Sequence, residues 1–570
     1  MVTRRGWDTW KLILLFFCPA LFVWLTAMVI PFLYGIFISF TKWDGIATEY
    51  TLIGFANYVK VFNTSKFWLS LQRTGIYTIG TVVLSNVMGL ILGLLLTSSL
   101  KGRNAFRTAI YVPNVVGGVA MGYIWQYIFS YGFTRIGQSM GIPGLSTSML
   151  SDPTGAMVAL VLVSSWQLSA YLMIIYVAGF TNVPAELVEA ARVDGATSWG
   201  VFRNVRLPMI RPSITICLFL AIVRSFMVFD VNLSLTDGGP FNSTELIALR
   251  IYNTAFVSLK FGNAQAQAVI LFITCGDYFR APGILYTEAG GADVMVERRS
   301  VKIWLFALAL LLTVFYLFPL VLVSLNSVKT TGEFTMNPFS LPSRLVTENY
   351  PQAYRQMHFL GSLCNTLILT VSICVLVSVL GSMAAYVVSR VKSRFVSFFY
   401  YLMIASMCAP FQAFMIPLVK LYAAQLGFTN SLLPVIYIAT GLNMAFSIFL
   451  VRGFLNSVPM EIDQAAMIDG CGSVRLFFKI ILPMLTPIEV TLLVFVAMGI
   501  WNDYLLSSLF LQTQDMRTLP MMIRVFCAQY STDYSPMMAG LVMSIMPMLI
   551  FYLICQKQIL AGVVQGSVKG

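Results

Sequence analysis

Two polar stretches in an apolar chain hold most of the residues that could do chemistry. EAARVDGATSWGVFRNVRLPMIRP runs from Glu189 to Pro212 and carries Glu189, Asp194 and four arginines. QAAMIDGCGSVRLFFKIILPMLTP, from Gln464 to Pro487, echoes it. Neither is built for catalysis. Acid–base or nucleophilic work needs a base within reach of the reacting group, and the chain's one histidine, His358, sits alone in a polar loop. The nine cysteines form no C-x-x-C pair and mostly fall inside apolar runs, where they read as small buried hydrophobes rather than a disulfide or metal framework. None of the thirteen lysines follows a glycine, so the Gly-Lys of a phosphate-binding P-loop is absent. The chemistry left to the two stretches is recognition.

Their local grammar is a helix, a turn and a second helix. Pro184 suits the start of a helix. Glu186 sits in its electropositive first turn. Ala190 and Ala191 leave a small-residue face that another backbone can approach, and Gly195, after Asp194, can take the left-handed position that ends the helix. Ser198 is the expected cap of the second helix, which carries Phe202 and ends at Leu207-Pro208. The second copy offers Glu461, Gln464, Ala465, Ala466, Asp469, Gly470, Phe477, Leu482 and Pro483 at the same places. Residues 183–212 and 458–487 match at thirteen of thirty positions without a gap, against about 2 expected from composition. A single amphipathic segment could lie on lipid headgroups. Two copies, each with a phenylalanine free to act as a knob (Phe202 and Phe477), favour a partner that is itself paired.

The elements that position these stretches are membrane helices. The chain has 570 residues, 58% apolar and 10% charged, where a soluble domain is about half apolar and a quarter charged. Apolar runs long enough to span a bilayer recur at about 12–38, 75–97, 109–129, 156–179, 214–231, 264–280, 303–325, 363–388, 396–416, 431–451, 488–507 and 536–555. The absence of strand-like alternation excludes a barrel. The opening apolar run is too long for a cleaved signal and reads as a retained first helix. The net charge of +13 resides in short loops, including 101–107 and 389–394. It therefore speaks for topology and anionic lipid rather than nucleic acid, and puts the repeated stretches and both termini in the cytoplasm. Asn57 pairs with Asn349 and Thr74 with Thr366 at a spacing of 292 instead of 275, so the first half carries about 17 extra residues, expected near 130–155. Six spans per half make a parallel repeat about an axis along the membrane normal, around a central pathway. The expected architecture is all-α: a first half at 1–280, a cytoplasmic linker at 281–301 rich in Gly and Pro, and a second half at 302–570. The sixth span is weak, because Asp277 and Arg280 interrupt it.

The repeated stretches resemble the EAA loop of binding-protein-dependent ABC importer permeases: EAA, three residues to Gly, and a distal LP. The first copy has Glu189-Ala190-Ala191, Gly195 and Leu207-Pro208 in full, while the second has Gln464 for Glu. LTDGGPFNST (235–244) is similar to an outer loop of the first-type sugar permease subunit, and ENYPQAY (348–354), IPLVKLYAAQLGFTNS (416–431), WNDYL (501–505) and the QGSVKG tail to the second type. The resemblance implies a maltose-type carbohydrate importer with its two permease subunits fused. It also implies two cytoplasmic ATPase subunits docking on the EAA loops, an extracytoplasmic binding protein, ATP bound only by the partner chains, and residence in a prokaryotic inner membrane. Within the spans, Arg224 and the aromatics Trp125, Trp166 and Trp501 are candidates to line a sugar pathway, although interfacial belts commonly hold such aromatics. Asp230, six residues from Arg224, points elsewhere, and Glu489 and Asp503 lie near the ends of their span as interfacial residues. An ion-coupled secondary transporter, the alternative, needs acids in mid-membrane, and a membrane enzyme needs clustered His, Asp or Glu.

Overall fold

The computed structural model describes residues 6–45, 50–98, 100–278, 299–527 and 534–567. Most of the expected linker, and Arg280, fall outside them. Among the described residues the regular elements are helical, with one antiparallel bridge between Thr41 and Leu52. Among the described residues, seven helices are long and apolar enough to cross a membrane: Thr9–Ser39, Ser65–Thr97, Pro153–Thr181, Ile303–Asn326, Phe359–Arg390, Leu432–Leu455 and Tyr534–Gln556. The other five apolar runs differ from the expectation of simple spans. The third and ninth are broken, into Arg103–Val115 with Gly118–Tyr127 and Arg394–Ser406 with Gln412–Leu418. The fifth and eleventh are Arg211–Phe226 with Asp230–Leu235 and Thr486–Trp501 with Leu505–Phe510. The sixth is the helix Phe261–Tyr278.

The break after Val115 combines a local proline with distant partners. Pro113 weakens the first helix of its pair. The carbonyls left open where this helix ends are bonded from outside: Gln167 Nε2 donates to Pro113 and Val116 at 3.2 and 2.9 Å, and Asn502 Nδ2 of the second half donates to Val115 at 2.9 Å. A break at membrane depth is tolerated when protein groups satisfy it in this way.

Paired landmarks do paired work. Asn57 Nδ2 donates to the carbonyls of Ser39 and Thr41, and Asn349 Nδ2 to those of Ser327 and Lys329, all at 2.8–2.9 Å. Thr74 Oγ1 accepts from the Ile247 amide at 2.9 Å, and Thr366 Oγ1 from the Leu519 amide at 3.0 Å. The first half's extra residues form the helix Phe133–Met140 and short turns up to Ser151, where the change of spacing predicts them.

Helices Ser65–Thr97 and Pro153–Thr181 run parallel along a glycine seam: Gly80 meets Val161, Gly89 meets Leu172 and Gly93 meets Tyr176. Thr97 and Thr181 therefore share one end of the bundle. The opening helix of each half crosses to the other half. Phe16 packs edge-on against Phe477, ring centroids 5.2 Å apart, and Trp24 Nε1 donates to Ser406 Oγ at 3.1 Å. Reciprocally, the Tyr316 and Ser169 hydroxyls are 2.6 Å apart, and Tyr316 stacks on Trp166 at 5.6 Å. Because Phe16 lies by Phe477 while Ser39, at the other end of its helix, lies by Asn57, both repeated stretches stand at the same end of the bundle.

Candidate functional site

Each repeated stretch is a helix, a glycine turn and a second helix, with nearly one backbone. Helices Ala185–Val193 and Met460–Ile468 end at Asp194 and Asp469, and Gly195 and Gly470 follow at φ 82° and 80°. Amides of Ala196 and Cys471 return to the carbonyls of Ala191 and Ala466 at 2.9 Å, closing the turn in both copies. The second helix of the first copy is capped by Thr197 and not by Ser198: Thr197 Oγ1 accepts from the Gly200 amide at 3.1 Å. Its continuation meets the next membrane helix at a sharp bend, 68° in the first copy and 77° in the second.

One face of each leading helix is open. Glu186, Glu189, Ala190 and Val193 are exposed at i, i+3, i+4 and i+7, and so are Glu461, Gln464, Ala465 and Ile468. Val193 and Ile468 are 88% and 79% exposed. Trp199, on the second helix, is 67% exposed and stacks on Phe202. These three apolar residues are the ones sequence reasoning passed over. The signal for the first two was helical phase, one turn beyond the alanines. Ala191, Phe202, Leu207, Pro208 and Leu482 are half-buried, and Pro483 is exposed. Phe477 is fully buried under Phe16 and Tyr386, and Ala466 is buried too. The expectation that Phe477 is a knob for a partner is therefore corrected, because Phe477 is core; Phe202 is half-buried and stacks on Trp199.

Between the halves lie two adjoining cavities, of about 300 and 510 Å³, that share Gly118, Arg224, Val228, Val231 and Gly499. The smaller is lined by Tyr77, Tyr111, Tyr171, Asn114, Gln167 and Asn502 among others. Arg224 reaches both, its guanidinium 4.4 Å from the centre of the Tyr171 ring. In the repeat's register its counterpart is Gly499, which has open space around it. Asp230 and Asp503 line the larger cavity. Asp503 also caps the helix after its break, accepting from the Ser507 amide at 2.8 Å. Glu489 is buried and not interfacial: it accepts from the hydroxyls of Ser378 and Ser382 inside the bundle. Trp125, Trp166 and Trp501 line neither cavity. They are buried, Trp125 edge-on to Trp166, and Trp501 Nε1 donates to the Ser544 carbonyl at 3.4 Å. Their bulk fills the core.

A pseudo-symmetric helical bundle, with paired loops at one end and a charged cavity between its halves, has the form of a membrane permease. The comparisons make this specific. The binding-protein-dependent transport system inner membrane component family matches twice, over residues 85–282 and 377–560, and the chain belongs to that family as two permease units in one polypeptide. It is 41% identical over 259 residues to a probable starch degradation products transport system permease protein, AmyD, of Thermoanaerobacterium thermosulfurigenes, covering 45% of this chain and 88% of that protein. AmyC of the same organism, described in the same terms, is 37% identical, with 46% and 95% covered. The multiple sugar-binding transport system permease protein MsmF of Streptococcus mutans is 36% identical, with 43% and 85% covered. Each relative is thus matched over most of its length by less than half of this chain.

Proposed function

We propose that this chain forms the whole membrane pathway of a binding-protein-dependent importer of saccharides, with residues 1–280 and 302–570 as its two permease units and 281–301 as their link. The stretches at 183–212 and 458–487 are EAA loops. Each docks one ATPase subunit at the cytoplasmic end, which also holds both termini, and ATP is bound and hydrolysed on those partner chains. A binding protein delivers the solute at the opposite end. The observation that carries this reading is the open face repeated on both leading helices: a glutamate first, then Glu189 or Gln464, alanine in the middle and a bare aliphatic at the end. An exposed apolar spot flanked by small residues is a surface awaiting a partner. The saccharide assignment draws on the named cargo of the relatives and on the tyrosines, amides and single arginine of the cavities, which suit a hydroxylated ring. The family match leaves no support for the ion-coupled alternative.

The test is retention of the ATPase by the purified permease. Val193→Asp and Ile468→Asp alter residues that touch little of their own chain, so folding should hold while a docking contact is replaced by a charge. Each substitution should lower retention by about tenfold, a loss typical of a centrally placed interface residue. Full retention in the double variant rejects the docking assignment.

A further inference from the structure

The helix Ser65–Thr97 has 33 residues, about 50 Å at 1.5 Å per residue, while the hydrocarbon core of a bilayer is about 30 Å thick. Its first turns, at the end of the bundle away from the repeated stretches, therefore stand at headgroup level. Lys66, Leu69 and Arg73 share one face there and line a pocket of about 440 Å³. Five cations face this pocket, Lys60, Lys66, Arg73, Arg250 and Lys260, against one carboxylate, Glu245. Glu245 is already paired, 3.1 Å from Arg250 Nη1, and Arg73 donates to the Asn242 carbonyl at 2.7 Å. Among the described residues, Lys60, Lys66 and Lys260 form no ion pair.

The floor of the pocket is built and incompletely satisfied. Arg250 and Gln267 are 9% and 2% exposed, and Arg250 Nε and Gln267 Oε1 have no hydrogen-bond partner among the described residues. A buried polar atom left open costs free energy unless something else bonds it. The pocket belongs to one half only. The counterparts of Lys60, Lys66 and Arg73 are Gln352, His358 and Asn365, and in the register that matches Ile247 to Leu519, Met522 replaces Arg250. Its helix face also continues out of the pocket as an exposed apolar stripe, Ile76, Val83, Val87 and Ile91. Trp68, close by, is exposed as interfacial tryptophans are.

We propose that this pocket binds the headgroup of an anionic glycerophospholipid that carries free hydroxyls, of the phosphatidylglycerol kind. The phosphate meets the three lysines, the hydroxyls meet Gln267 and its polar neighbours, and the acyl chains run down the apolar stripe. Soluble glycerol phosphate shares the headgroup chemistry, but only the lipid uses the stripe.

The complete transporter, with its ATPase and binding-protein partners, can be reconstituted in nanodiscs of phosphatidylcholine with or without phosphatidylglycerol. Lipid kept after mild extraction is then counted by native mass spectrometry. The parent should keep phosphatidylglycerol selectively, and Lys60→Gln with Lys260→Gln should reduce this by about fivefold per lysine, the worth of one basic residue near an anionic surface. Both lysines are exposed, and the melting temperature in pure phosphatidylcholine should not move. Equal retention of the two lipids by the parent overturns the proposal. So does a ligand effect confined to soluble glycerol phosphate, seen as a rise in melting temperature in the parent and not in the variant. Loss of stimulation by the binding protein with lipid retention unchanged would assign the lysines to protein docking and also overturn it. ATPase retention by the repeated stretches is read separately in the same samples, so this site can fail while the permease reading stands.

Discussion

Under the leading helix of the first repeated stretch lies Val188, in an apolar cluster with Val201, Ile210, Phe180 and Cys217. At the same place in the second stretch lies Asp463, 3.1 Å from the Arg390 guanidinium and accepting from the Tyr386 hydroxyl at 2.6 Å. Arg390 also donates to the Val458 carbonyl at 2.9 Å, and Phe477 is sealed beneath Phe16 from the other half. The outward faces of the two copies are nearly the same while their inward faces differ in kind. On the proposed docking role, one outward face serves two equal partners, which constrains its exposed residues and leaves the anchoring to whatever packs locally. The apolar anchor is graded, since each lost methyl costs a little. The ionic anchor is all or none, because removing one member strands a buried charge.

Asp463→Ala should show that contrast most strongly. Stranding Arg390 should destabilise the second loop by about 3–5 kcal/mol, while Val188→Ala, which removes two buried methyl groups, should cost about 1–2 kcal/mol in the first. Hydrogen exchange of the amides in 183–212 and 458–487 reads both. Combining Asp463→Val with Arg390→Leu should recover most of the loss, and failure to do so would mean that the pair supplies more than mutual neutralisation. The glycine turns are where the copies should behave alike. A Cβ at Gly195 or Gly470 meets nothing within 4 Å, so the cost of Gly→Val there is the backbone's alone, about 1–2 kcal/mol for a left-handed residue. Uptake into vesicles should fall in both variants to a similar degree, with normal amounts of protein in the membrane. Unequal losses would show that transport leans on one loop. The smallest effect concerns Glu189 and its counterpart Gln464, both exposed. A charge there is worth at most about 1 kcal/mol and is screened by salt. Glu189→Gln should flatten the salt dependence of ATPase retention, and Gln464→Glu should be tolerated. Identical curves across a salt series would leave this position a packing role.

Hydropathy marked twelve apolar runs, and seven of them are helices long enough to span among the described residues, because bilayer thickness demands a length that is visible in one dimension. It could not show that five of them are broken or short, since apolar residues continue through Val116-Gly117 and the deciding groups, Gln167 and Asn502, sit 50 and almost 400 residues away. The repeated stretches were legible to the turn, because a left-handed glycine after an aspartate is a local signal. The Asp463–Arg390 anchor was not, since nothing local ties two residues 73 positions apart. The tryptophans misled for a related reason: an aromatic that could stack on a ring and one that fills a core carry the same side chain, and only the neighbours of Trp166 and Trp501 distinguish them.

The crossed opening helices bear on how such a chain is made. Phe16, Trp24 and Ala27 in the helix Thr9–Ser39 rest on Phe477, Ser406 and Gly441. At a translation rate of roughly 5–20 residues per second those partners leave the ribosome on the order of 20–90 seconds later. For that interval the first helix must remain in the bilayer without its final neighbours. Its flanks have to be greasy enough to wait in lipid, yet shaped to accept a helix from the far half when it arrives. A fused chain makes this delay fixed and guarantees that the late partner is always the right one, where two separate subunits would have to find each other by diffusion.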